Sequence, residues 1–297
     1  MPSTEAHHAD VEPYTLHPSV RPLVILGAAR SGTKFLRGLL EASSACAAVP
    51  HGVNFVWRQG SHGDVHDAVP PASYSPETIR SIRKTLLRLS DAPHLPSTRF
   101  LVERTCANTL RLPAVHAVLP DARYLHIVRD GRDVAASAYE HWTKSPSVLH
   151  RLRKLMAAPH AGWRFAIRRL TQRLSASAPA TGWGPHYPGM QADLQQYSTA
   201  EVCALQWIAC VEACQHDLHA LIRPDRYHTL HYEDLVTDAS TLRNVCSFLD
   251  LPDSSAVLRR YRQTVRADAI GRWKRTLPPA TGQRIQARLA PTLEQLG

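Results

Sequence analysis

The sequence predicts an α/β fold of three layers, α/β/α, around a central parallel sheet, with a helical insertion. Three observations predict it. Apolar runs of strand length alternate with amphipathic helical stretches. The runs PLVILGA, RFLVER and ARYLHIV are apolar through their centres, as strands covered on both faces must be. Two of these runs end in a tight turn that opens directly into a helix, the local form of an anion-binding loop. The chain has 297 residues, 44% of them hydrophobic and 20% charged. That is enough for a single large domain, read as 22–297, behind a flexible N-terminal arm at 1–21 that is polar and rich in His and Pro.

The elements follow in order. PLVILGA stops at Gly27, and GTKFLRGLLEAS then places Phe35, Leu36, Leu39 and Leu40 on one helical face. Residues 50–76 read as loop. PETIRSIRKTLLRL reads as a helix with Ser75 as N-cap and Pro76 at its first position. RFLVER is the second strand, LPAVHAVLP a short helix, ARYLHIV the third strand, and GRDVAASAYEHW a helix directly after it. Residues 144–197 break the alternation with a basic helical stretch followed by SASAPATGWGPHYPG, which is loop chemistry. TAEVCALQWIACVEACQHDLHALI is a long helix, and RYHTLHYEDL supplies another strand. TLRNVCSFLDL is a helix with Leu242, Val245, Cys246 and Leu249 inward, and the chain after RTLPP is helical.

The formal charge is +10, which points to anionic partners: phosphate or sulfate esters, acidic glycans, nucleic acid or an anionic membrane surface. None of the six cysteines has CxxC spacing, and Cys203, Cys210 and Cys214 share one helical face as buried thiols. The start MPSTEAHHADVEPY has no basic lead and no apolar core, and no apolar run reaches the ~18 residues of a membrane span. A soluble, cytoplasmic protein is expected.

The stretch ILGAARSGTKFL has the glycine spacing of a nucleotide-binding P-loop at Gly27 and Gly32. Such a loop works because backbone N–H groups and a helix N-terminus converge on one anion. Here Thr33 precedes Lys34, so the lysine is turned ~100° around the helix from the usual place. Arg30, inside the loop, can supply the cation instead. The stretch YLHIVRDGRDVAASAY repeats the logic: Arg129 lies beyond the C-terminal end of a strand, where open α/β sheets bind ligands, and Ser137 follows on the helix. An arginine and a hydroxyl so placed grip a phosphate monoester.

Together GAARSGTKFL and IVRDGRDVAASAY resemble the 5′-phosphosulfate loop and the 3′-phosphate motif of sulfotransferases that use 3′-phosphoadenosine 5′-phosphosulfate (PAPS). HYEDLV and GRWKRTLPP look like segments of the tyrosylprotein and bacterial carbohydrate branches. The resemblance runs from about residue 22 and is thinnest over 144–197, where acceptor-specific insertions are expected. It implies that Arg30, Ser31, Gly32, Thr33, Lys34 and Phe35 hold the phosphosulfate end of PAPS. Arg129 and Ser137 would hold the 3′-phosphate, and Arg104, Tyr232 and Arg272 would complete the site. Lys34 would also act in catalysis. The branch's catalytic glutamate aligns with His51, in VPHGVNFVWR; an imidazole can take a proton near neutral pH. Glu103 is the second candidate base, with a structural carboxylate as its alternative role. No metal is expected, because the Lys-Thr pair that serves Mg²⁺ in ATP loops is not in that order.

The basic run from Lys144 to Arg173 contains no acid. It reads as a solvated face, an acidic-glycan cleft or a membrane-surface contact. Trp57, Trp163 and Trp183 are candidates for stacking on sugar rings or for core positions. A carbohydrate or glycolipid hydroxyl is the leading acceptor, with a peptide tyrosine or a small alcohol or phenol also open. A P-loop kinase is the main rival reading. A basic nucleic-acid module leaves both loop motifs unexplained, so no nucleic-acid partner is expected.

Overall fold

The computed structural model describes residues 19–60, 66–90, 97–143 and 182–296. Nearly all of the predicted arm, and the basic run from Lys144 to Arg173 with Trp163, lie outside them.

Five strands form one all-parallel sheet: β1 (Arg21–Leu26), β2 (Cys46–Ala48), β3 (Phe100–Glu103), β4 (Arg123–Val128) and β5 (Tyr227–His231), in the order β2-β3-β1-β4-β5. The register sets Leu26 level with His126 and Val128 level with His231, so β1, β4 and β5 end along one edge. The two-residue period of β1 divides its side chains between two cores. Val24 and Leu26 pack with Trp57, Ile82, Leu101 and Tyr124 on one face, and Leu23 and Ile25 with Leu36, Leu125, Leu230 and Leu242 on the other. This two-sided burial is why the strands read as continuous apolar runs.

The helices are α1 (Thr33–Leu40), α2 (Asn54–Trp57), α3 (Pro76–Leu89), α4 (Leu112–Val118), α5 (Gly131–Thr143), α6 (Met190–Gln196), α7 (Thr199–Leu221), α8 (Tyr232–Thr237), α9 (Ala239–Leu249), α10 (Ser254–Thr264), α11 (Trp273–Thr276) and α12 (Pro279–Leu296). Ser75 caps α3 as expected, accepting from Thr78 N at 3.2 Å. Ser198 and Glu201 form a full capping box on α7, the signal that starts this long helix. A third core joins α5, α7 and α12 through Val134, Ala138, Trp207, Val211, Ile285 and Leu289. Cys203, Cys210 and Cys214 are buried on α7, as read from their spacing.

Several expectations are corrected. The strand expected across RYHTLHYEDL stops at His231, and Tyr232 opens α8, whose first turn carries Glu233 and Asp234. Acidic residues favour a helix N-terminus, which explains the switch. Residues 50–76 are not wholly loop, since they hold α2 and two short 3-10 turns. α6 falls inside 144–197 and agrees with a helical insertion there. β2 has only three residues and so shows no periodicity.

His126, in the middle of the sheet, is buried, and its Nδ1 has no partner. Burial, then the nearby His231 and His219, push its pKa down to about 4. The unfolded imidazole titrates at about 6.5, so between these values the unfolded chain binds the extra proton. Stability is therefore expected to fall as pH drops from about 6.5 towards 4, by up to about 3 kcal/mol. Urea unfolding at several pH values should show this slope in the native protein and a flatter one in His126→Leu.

Candidate functional site

The chain leaves β1 into a tight turn in which Ser31 N donates to Ala28 O at 3.1 Å. Arg30 and Gly32 both take positive φ, 78° and 95°. Gly32 is required twice over: a Cβ there would sit in the left-handed region and 2.5 Å from Cδ2 of Tyr232. α1 then starts with no side-chain cap on its first turn. Its leading N–H groups have no intrahelical acceptors and can face an anion. Thr33 is buried with Oγ1 3.6 Å from Cys106 Sγ, while Lys34 is exposed and Phe35 half-buried.

Arg129 follows β4 and is buried, as a ligand-facing arginine at a strand end can be. Its Nη1 donates to Arg30 O at 3.1 Å and its Nη2 to Ala269 O at 2.7 Å. Its guanidinium lies 4.4 Å from the centroid of the Tyr232 ring, a cation–π contact. Asp133 is 3.9 Å away. Arg30 Nε donates to Ser137 Oγ at 3.0 Å, so the two predicted motifs meet. Arg272 pairs with Glu140 at 2.9 Å beside them. Arg30 keeps exposed surface, yet burial of the rest of the side chain lowers its pKa, and the charges of Arg129 and then Arg272 lower it further. An anion would relieve that crowding.

These groups line two adjoining spaces. A cleft of about 590 Å³ is bordered by Arg30, Gly32, Thr33, Lys34, Phe35, Arg104, Cys106, Arg129, Trp183, Tyr232 and Arg260, among others. A recess of about 100 Å³ is lined by Arg30, Arg129, Ser137, Arg272 and neighbours, including Asp133 and Glu140. Arg30 and Arg129 border both. Three buried donors here have no partner: Ser31 Oγ, Arg104 Nε and Arg129 Nε. Unsatisfied buried donors are costly, and a bound oxyanion would satisfy them.

The candidate bases fall in different places. His51 is exposed in the loop after β2 and, like Glu103, is not among the residues that line the cleft. That loop is tied to α1 by Arg37 Nη1, which donates to Val49 O at 2.9 Å and also to Pro50 O. Gly52, the next residue, packs beside the backbone of Arg104: a Cβ there would lie 3.6 Å from Arg104 O. Glu103 is 0% exposed and is not part of the cleft lining. Its carboxylate accepts from Trp57 Nε1 at 3.3 Å, from Thr105 Oγ1 and from Asn108 Nδ2 at 2.9 Å. Burial raises its pKa, with the hydrogen bonds from Thr105 and then Trp57 opposing. Thr105 Oγ1 in turn accepts from Val53 N at 2.8 Å, so Glu103 braces the loop that carries His51. Of the candidate tryptophans, Trp57 is core and Trp183 lines the cleft. Cys106 and Arg260 also line it, and neither was singled out from sequence, because nothing in their neighbourhoods marks a site.

A family model described as "Sulfotransferase family" matches residues 22–183. No curated protein matches the sequence. Among solved structures, the sulfotransferase domain from the Synechococcus PCC 7002 olefin synthase is similar over 94% of this chain and 96% of that one, at 18% identity and a TM-score of 0.52. The sulfotransferase STF9 from Mycobacterium avium is similar over 94% of this chain and 77% of that one, at 14% identity and a TM-score of 0.51. At these identities the structural likeness speaks to the fold.

Proposed function

We propose, since this chain belongs to the sulfotransferase family, that it moves the sulfuryl group of PAPS to an acceptor hydroxyl and releases adenosine 3′,5′-bisphosphate. One observation carries the reading: the recess of Arg30, Arg129, Ser137 and Arg272 adjoins the loop cleft. It offers a place for a 3′-phosphate, the group that ATP lacks.

In this account the N–H groups of α1's first turn, with Ser31, Gly32, Thr33, Arg30 and Lys34, hold the 5′-phosphosulfate. The unpartnered Ser31 Oγ and Arg129 Nε suit that load. Phe35 and Tyr232 flank the nucleoside, and Arg104 faces the transferring group. The bond from sulfur to the acceptor oxygen forms as the bond from sulfur to the 5′-phosphate oxygen breaks, and the acceptor's proton passes to His51. Charge growing on the leaving oxygen is met by Arg30, Lys34 and the helix N-terminus, preorganised before reaction. These cations do the work without a metal ion in the scheme. Glu103 positions the His51 loop instead of taking the proton.

A carbohydrate or glycolipid hydroxyl is our leading acceptor, with a phenol, a peptide tyrosine or a small alcohol as the second reading. Among the described residues no helix is long and apolar enough to cross a membrane. We place the reaction in the cytoplasm, and the basic composition of the run from Lys144 suits an anionic surface.

The direct test is transfer of label from ³⁵S-PAPS to a panel of glycans, phenols and alcohols. Labelled product is expected. Phosphoryl transfer from ATP with Mg²⁺ and none from PAPS would favour the kinase reading instead. His51→Ala is expected to lower kcat about a hundredfold or more with affinity for the bisphosphate unchanged; unaltered turnover would remove it as the base.

A further inference from the structure

We infer that Trp183 is the platform on which the acceptor lies, and that the group stacked there is a ring, a pyranose or a phenol, in preference to an open-chain alcohol. This rests on the sulfotransferase reading above. Phe35, Tyr232 and Arg260 line the cleft together with Arg104, Cys106 and Trp183. Tyr232 stacks with Arg129, which also lines the small recess, so Tyr232 belongs to the donor. Cys106 touches Thr33 at the start of α1, and the Trp183 segment is tied through Asp67, which accepts from both His186 N and Asn54 Nδ2, to the helix that follows the His51 loop, so Trp183 belongs to the side of the transfer point. Trp183 is the only residue of 182–189 in the cleft lining among the described residues, and it is half-buried.

The segment around it is held with more buried polar contacts than a surface loop needs. Gln206 Nε2 donates to Trp183 O and to Pro185 O, both at 2.8 Å. Gly184 takes φ of 90°, and a Cβ there would lie 2.8 Å from Gln206 Oε1. Asp67, fully buried, accepts from His186 N at 2.8 Å and donates its own N–H to His186 O at 2.6 Å. The His141 ring packs against the indole with centroids 4.4 Å apart at 60°. The indole is therefore fixed before an acceptor arrives, which is how a binding surface avoids an ordering cost. A flat, fixed aromatic face favours a flat or ring-shaped partner.

The test compares native protein, Trp183→Ala and Trp183→Phe at saturating labelled PAPS. The acceptors are p-nitrophenol, methyl β-D-glucopyranoside and 1-octanol. For whichever ring acceptor the native protein uses, Trp183→Ala should raise KM about threefold to tenfold. KM for PAPS should not change, and Trp183→Phe, which keeps an aromatic ring against His141, should recover most of the loss. Reaction with 1-octanol should change less than twofold. The phenol and glucoside arms tell which ring is taken. An unchanged ring KM in Trp183→Ala, or an equal loss with 1-octanol, overturns the assignment. If the native protein sulfates none of the three, saturation-transfer NMR on bisphosphate-loaded protein reads the same question. Ring signals with the native protein that vanish in Trp183→Ala support the platform; none with the native protein, or signals that persist in the variant, overturn it. Failure of the native protein to bind the bisphosphate refutes the donor reading itself, and the platform falls with it.

Discussion

Arg129→Ala is expected to weaken binding of adenosine 3′,5′-bisphosphate by about a hundredfold or more. Truncating one partner of a buried, hydrogen-bonded charge pair costs about 2–5 kcal/mol. Arg129 is buried at the border of both spaces and has an unpartnered Nε. It also fixes the loop through Arg30 O, so some loss is expected for any ligand of the loop. Adenosine 5′-phosphosulfate, which lacks the 3′ group, separates the two effects. Its affinity should fall much less. Equal losses for both ligands would show that Arg129 merely shapes the loop. Arg129→Lys keeps a charge but loses the planar fork, and should fall between the two.

The second large effect is expected at Gly32. Gly32→Ala places a methyl 2.5 Å from the Tyr232 ring at φ of 95°. Overpacking of this kind typically costs about 1–3 kcal/mol, and the strained backbone adds a similar amount. The loop must open or Tyr232 must swing away, and either motion displaces the ring that Arg129 stacks on. Donor affinity should fall at least about a hundredfold, with a lower melting temperature. Adding Tyr232→Ala to Gly32→Ala should recover part of the thermal stability and little of the affinity. Native-like bisphosphate binding by Gly32→Ala would contradict the loop geometry.

Both large effects sit where local sequence was most informative. A strand, a glycine-bounded loop and a helix are neighbours along the chain, so Arg30 to Phe35 could be placed before any tertiary contact was known. Arg129 and Ser137 were legible for the same reason, and the contact of Arg30 with Ser137 brought the two motifs together. Residues whose position depends on packing were not legible. Glu103 ends β3 level with Val24, on the face that carries Leu101 and Trp57, so strand alternation turns its carboxylate inward. The sequence shows a glutamate at a strand end and cannot say which face it takes. Arg260 reaches the cleft from α10, far along the chain. Trp183 does so from a loop anchored by Gln206 and Asp67. Tyr232, a candidate from the sequence, was set in a strand, because the acidic pair after it was not read as a helix start.

The central claim is that the recess beside the loop is a 3′-phosphate site. Thermal denaturation with increasing adenosine 3′,5′-bisphosphate, set against ATP with Mg²⁺, tests it most directly. The bisphosphate should raise the melting temperature by several degrees at a hundredfold excess over its Kd, and ATP with Mg²⁺ at the same concentration should raise it less. A larger shift with ATP and Mg²⁺ than with the bisphosphate would contradict the claim.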